Sequence, residues 1–203
     1  FHAGTTTFTG SQFSITGGTP SEVFITSMLD KTVTYEALKY SVRRPVSFSS
    51  WPTLDPLTHP DTDEDEASFD ITRISGANQN AGLFASYHAY PYYPNFISND
   101  PNYRTFSDSE GPDSYLGYLT DLKNYYSSMP LLIAEFGVPS SWGSAYQSFS
   151  NMPHGGLSEI QQGEKDIRQL LNIIDAGCAG GFLFSWMDEW FKPTWIVLYL
   201  EAY

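Results

Sequence analysis

Hydrophobic positions along the chain change period several times, and each change marks an element. Val23, Phe24, Met28, Leu29, Val33, Leu38 and Tyr40 fall on or near one stripe at helical spacing, which predicts a helix from Pro20 to about Ser41. Its start is written in Thr19-Pro20-Ser21-Glu22: Thr19 can cap, Pro20 suits the first helical position, and Glu22 closes a capping box. Pro45 to Trp51 then reads as a short strand, and Leu83 to His88 as a second that breaks at Ala89-Tyr90-Pro91. Tyr115, Leu116, Leu119, Leu122 and Tyr126 return to helical spacing between about Pro112 and Ser128. Leu131-Leu132-Ile133-Ala134 is an unbroken apolar run, the mark of a strand covered on both faces, and it stops at Glu135 because Gly137 and Pro139 punctuate the chain. Ser158-Glu159-Ile160-Gln161 is a second capping box, opening a helix with Ile167, Leu170, Leu171 and Ile174 as its predicted core stripe and Gly177 as its stop. Gly181 to Trp186 is the last predicted strand.

Helices alternating with strands predict an α/β fold of parallel strands joined by right-handed crossovers. About four strands with covering helices amount to half of a TIM-type (β/α)8 barrel, and 203 residues fall short of the roughly 250 of a whole one. The expectation is one (half-)barrel domain over 1–203. Residues 1–18, rich in Gly, Thr and Ser without a sustained period, read as an irregular lead-in, and 52–81 as a long acidic loop. Its acidic run from Asp61 to Glu66 lacks the glycine and terminal glutamate of a calcium loop and reads as a solvated face. Near the carboxyl end, Trp195 to Leu200 is an apolar run that fits an extra strand, an oligomer contact or a frame-shifted tail.

Composition narrows the partners. A net charge of -13 argues against nucleic acid and anionic membrane surfaces, both of which want a basic face. No apolar run reaches the roughly 18 residues of a membrane span. Aromatic residues make up 16% of the chain, more than a small core needs, and rings that stack on pyranose faces are one outlet for the excess. Cys178 is the only cysteine, so no internal disulfide forms, and its Ala/Gly neighbours predict an inert buried thiol. No phosphate-binding glycine loop, zinc helix motif, Cys/His cluster or Gly-x-Ser-x-Gly elbow occurs, and the four histidines are dispersed; no metal or cofactor is predicted. The chain begins at Phe1 rather than Met, which reads as a trimmed or partial chain and leaves localisation open.

Candidate chemistry collects at the carboxyl ends of the predicted strands. Trp51 and Asp55 follow the first, His88 and Tyr90 the second, Glu135 the third, and Trp186, Asp188 and Glu189 the fourth. A carboxylate ending an apolar strand is costly unless it has work or a partner. In a parallel architecture these tips converge on one rim, and ligands bind there. Each residue taken alone has a structural explanation; their recurrence at one strand position is what singles them out. Trp142, in the Ser/Gly-rich loop after Glu135, joins them as a substrate-binding candidate.

Ile133-Ala134-Glu135-Phe136-Gly137, with His88-Ala89-Tyr90 before it and Phe184-Ser185-Trp186 after it, resembles the C-terminal half of a retaining glycoside hydrolase. The resemblance is to the (β/α)8 superfamily of cellulases, mannanases and β-galactosidases, and covers about residues 19 to 195. It implies that Glu135 is the nucleophile, that His88 and Tyr90 line the catalytic subsite and position it, and that Trp186 floors the sugar site. Retaining cleavage needs a second carboxyl group about 5 Å from the first, and a tyrosine hydroxyl donating to Glu135 would favour its charged form. In that superfamily the acid/base is a glutamate following an asparagine, and no Asn-Glu pair occurs in this chain. Asp55, Asp188 and Glu189 are the candidate substitutes. The leading expectation is a glycosidase acting on a β-linked glucan, mannan or galactoside, its acid/base missing from this chain. The alternatives are a non-catalytic carbohydrate-binding or vestigial half-barrel and, more weakly, an esterase-type hydrolase. Half a barrel leaves open strand edges and an apolar face, so a homo-oligomer, most simply a dimer, or a missing N-terminal half-barrel is expected to cover them.

Overall fold

The computed structural model describes residues 4–60, 68–76, 82–187 and 189. Strands β1 (Thr7–Thr9) and β2 (Phe13–Thr16) precede helix α1 (Pro20–Tyr40), followed by β3 (Ser49–Ser50), β4 (Ser75–Gly76), β5 (Ala85–His88) and α2 (Asn95–Asn99). Then come the pair β6 (Ser107–Asp108) and β7 (Gly111–Pro112), helix α3 (Ser114–Tyr125), and β8 (Leu131–Phe136). The pair β9 (Ser144–Tyr146) and β10 (His154–Gly155), helix α4 (Glu159–Asp175) and β11 (Gly180–Leu183) complete the order.

The main sheet is parallel and runs β3, β5, β8, β11, the same order as the chain. Right-handed crossovers that always step the same way leave their helices on one face. Accordingly α3 and α4, which join successive strands, pack against each other. Leu131 and Ile133 are fully buried, whereas Leu132 and Ala134 are only partly so. Among the described residues the sheet stays open, with β3 and β11 as its edges. This is a mixed α/β fold around a four-stranded parallel sheet.

The amino-terminal lead-in is not irregular. Phe13 and Ile15 are buried on either side of Ser14, the period of a strand, and β2 pairs with β1 on one side and β4 on the other. The Asp30 carboxylate of α1 accepts the amides of Gln12 and Phe13 at 2.6 and 3.0 Å. Strands this short leave no sustained period to read. For the same reason the 52–81 connection is only in part a loop: Phe69, Ile71 and Ile74 enter the core, and β4 pairs with β2. The acidic run Asp61 to Glu66 and the apolar run Trp195 to Leu200 lie outside the described residues.

Helix starts follow the written signals. Thr19 and Glu22 exchange both capping-box bonds at the head of α1, and Ser158 and Gln161 do so at the head of α4. The facing of α4, however, is the reverse of the prediction. Ile167, Leu170, Leu171 and Ile174 are exposed, Ile167 at 62%, while Arg168, Gln169, Asn172 and Ile173 are buried. The inner face is occupied by polar groups because buried carboxylates need them: Arg168 forks onto Asp108 at 2.7 and 2.9 Å and lies 3.2 Å from the α3 cap Asp113. On α1, too, Val23, Leu29 and Val33 are buried but Phe24, Met28, Leu38 and Tyr40 are exposed. Cys178 is partly buried, and burial pushes its thiol up to about 11. Among the described residues no helix is long and apolar enough to cross a membrane.

Candidate active site

The site begins with an extra residue in β8. Tyr87 pairs with Ile133 but His88 with Glu135; on the other side Gly181 pairs with Ile133 but Leu183 with Phe136. Relative to both neighbours β8 therefore carries one residue too many between Ile133 and Phe136. The alternation of burial breaks at the same place, with Ala134 and Glu135 both only partly covered before Phe136 is buried again. Such a bulge bends a strand and re-aims the side chain beside it. Here that side chain is Glu135.

Two residues from the end of β5 reach it, and a third, after β3, stands beside them. Tyr90 donates its hydroxyl to Glu135 Oε2 at 2.8 Å, and His88 Nδ1 lies 3.2 Å from the same oxygen. The side chains of His88 and Glu135 are 23% and 26% exposed, so the pair is sheltered yet reachable. Oε1 takes part in no hydrogen bond among the described residues. The Trp51 ring lies 5.4 Å from the His88 ring and 6.2 Å from the Tyr90 ring, forming an aromatic wall beside the carboxylate. Burial first, and then the bond to Glu135, pushes the Tyr90 hydroxyl well above the usual phenol range, which keeps it a donor.

The loop after β5 is held firmly enough to fix these positions. The Ala89 amide donates to Glu135 O at 3.0 Å, and Tyr115 of α3 donates its hydroxyl to Ala89 O at 3.0 Å. Ser98 and Ser148 donate to Pro91 O at 3.2 and 2.9 Å. Tyr92 extends the aromatic group, 5.6 Å from Tyr90 and edge-on to His154 at 4.8 Å. Burial, followed by the negative charges of Asp166 and Glu135, raises the Tyr92 hydroxyl, and burial lowers His154. Neither residue was singled out from the sequence. Tyr92 was legible as the next aromatic after Tyr90 in Tyr90-Pro91-Tyr92; His154 had no local signal.

Trp142 and Trp186 are fully exposed, and among the described residues no ring contact or hydrogen bond joins them to Glu135. Glu189 is exposed, and Asp188 lies outside the described residues. Asp55 is buried and committed elsewhere: it accepts from Tyr118 at 2.9 Å and the Leu57 amide at 2.9 Å, with His59 Nε2 3.1 Å away. That leaves Trp51, His88, Tyr90 and Glu135 as the convergent set, with Tyr92 and His154 behind it. Among the described residues no group of three His, Cys, Asp or Glu side chains is placed to hold a metal ion. The chemistry on offer is that of a partly exposed carboxylate, one oxygen held by donors and the other without a hydrogen bond among the described residues, beside aromatic faces. No family model, curated protein or solved structure matches the chain.

Proposed function

We propose that the chain is half of a (β/α)8-type barrel that hydrolyses a β-linked glucan, mannan or galactoside with retention, Glu135 acting as nucleophile. The observation that carries the reading is the convergence of Tyr90 and His88 on Oε2 at a strand end re-aimed by a bulge, with no hydrogen bond to Oε1 among the described residues. In the first step Oε1 attacks the anomeric carbon, the glycosidic C–O bond breaks, and the departing oxygen takes a proton from a second carboxyl group. In the second step water, deprotonated by that group, cleaves the glycosyl ester and frees Glu135. Tyr90 and His88 hold the nucleophile's orientation through Oε2, and Trp51 offers an apolar face to the sugar ring. The second carboxyl group comes from the other half of the barrel, whether a second copy of this chain or a separate half-barrel.

An activated 2-deoxy-2-fluoro aryl glycoside tests this directly, because its leaving group departs without acid assistance and its fluorine slows the second step. Incubation with the gluco, manno and galacto forms should add one glycosyl mass to the chain, mapping to Glu135 and vanishing in Glu135→Gln. Absence of label with all three overturns the nucleophile role. A second reading rests on a specific observation: none of the contacts of Glu135 among the described residues is with another carboxyl group. A binding module without catalysis would take up oligosaccharide at the same rim while remaining unlabelled.

A further inference from the structure

The strand ladder ends just where the proposed nucleophile must be aimed. Glu135 O accepts from Ala89 and Phe136 O from the Phe184 amide at 2.9 Å, the last sheet bonds on β8. Beyond them the Gly137 and Val138 amides have no strand to pair with, and buried amides demand acceptors. Helix α4 supplies them. Gln169 Oε1 accepts from Gly137 at 3.0 Å, Asp166 Oδ1 accepts from Val138 at 3.0 Å, and Gln162 Nε2 donates to Val138 O at 2.8 Å. Residues 162, 166 and 169 are four and three apart, so they form one line along the helix. Gln169 is fully buried, and its own amide donates to Lys165 O at 3.4 Å, which fixes which end faces the strand.

We infer that Gln162, Asp166 and Gln169 clamp the turn after β8 and thereby set the aim of Glu135, with Asp166 as the positioning residue at the centre of the clamp. Gly137 closes the arrangement from below. Its φ of 146° lies where only glycine rests comfortably, and an added Cβ would meet Phe184 O at 2.9 Å, Leu183 Cδ1 at 3.3 Å and Asp166 Oδ1 at 3.6 Å. The turn has no slack, so a change in its anchors is passed back to the adjoining bulge. Burial raises the Asp166 carboxyl while the Val138 amide works against that rise. The inference rests on the reading of Glu135 as nucleophile, but the clamp itself is separable from it.

Two measurements on the intact chain keep the two apart. Hydrogen exchange at the Val138 amide should be slow in the native chain and about 10-fold or more faster in Asp166→Leu, while Asp166→Asn, which retains the Oδ1 acceptor, stays near native. Unchanged exchange in Asp166→Leu overturns the clamp whatever the chemistry. In labelling by the 2-fluoro glycoside, Asp166→Leu should slow the covalent step about 10- to 100-fold with the initial binding constant within about two-fold, and Asp166→Asn should restore it. Loss of binding rather than of the covalent step, or failure of Asp166→Asn to rescue, overturns the positioning role. A native chain that takes no label sinks the nucleophile reading and leaves exchange to decide the clamp. Should Asp166→Leu fail to fold, Gln169→Met, which removes the acceptor of the Gly137 amide, is measured in both assays against the same native standard; native exchange at Gly137 with native labelling there overturns the clamp.

Discussion

At the scale of the residue, Glu135 is defined by what touches one of its two oxygens. Tyr90→Phe removes the donor and keeps the ring, so the covalent step should slow about 100- to 1,000-fold, as when a preorganised donor is lost, while thermal stability changes little. Stopped labelling reactions followed by mass spectrometry check this, and a native rate in Tyr90→Phe would show that Oε2 needs no phenol. The carboxylate and its neighbours were legible because each ends an apolar strand, and that position alone brought His88, Tyr90 and Trp51 into the list. Trp186 satisfied the same rule yet is fully exposed. The rule reads position along a strand and says nothing of where the chain goes next. Asp166 was invisible for the opposite reason: it lies mid-helix, 31 residues after Glu135, with no motif around it.

At the scale of the element, boundaries were far easier to read than facing. Both capping boxes formed as written, since a cap is a local exchange of hydrogen bonds. The phase of α4 was not legible, because an apolar stripe fixes a period without fixing which side is wet. What decided it is the cost of leaving Asp108 and Asp113 without a cation, a long-range demand no window of sequence displays. Arg168→Met should therefore destabilise the chain by about 3–5 kcal/mol, the cost of breaking a buried ion pair on one side, in urea-unfolding titrations. The bulge in β8 was equally hidden, for an extra residue changes register without changing composition.

At the scale of the whole molecule, the parallel sheet was predicted, and its two edges, open among the described residues, give the proposed partner something to meet. Along α4 and β11 an apolar margin of Ile160, Ile167, Leu170, Leu171, Ile174, Phe182 and Leu183 is exposed, and along α1 a second of Phe24, Met28, Tyr35 and Leu38. Exposed patches of this kind mark contact surfaces. The proposed pairing predicts a dimer at micromolar concentration in light scattering, shifted to monomer by Ile167→Glu with Leu171→Glu; a native monomer would count against it. The tyrosine-rich interior predicts alkaline sensitivity. Burial raises the hydroxyls of Tyr87, Tyr103, Tyr115, Tyr118 and Tyr126 as well as Tyr90 and Tyr92 above the ordinary value. A folded value above the unfolded one means stability is fully present below about pH 10 and is lost as the pH climbs past it. Melting temperature should hold up to about that pH and then fall, with phenolate absorbance appearing together with unfolding.

The order of the strands carries one more consequence, for synthesis. Because β5 joins β3, β8 joins β5 and β11 joins β8, each strand of the parallel sheet pairs with the sheet strand made before it. The polypeptide can therefore assemble vectorially as it leaves the ribosome, every new rung finding its template already in place. The Glu135 strand is the third rung, and its second neighbour is β11, so the reactive end is fastened only when β11 arrives.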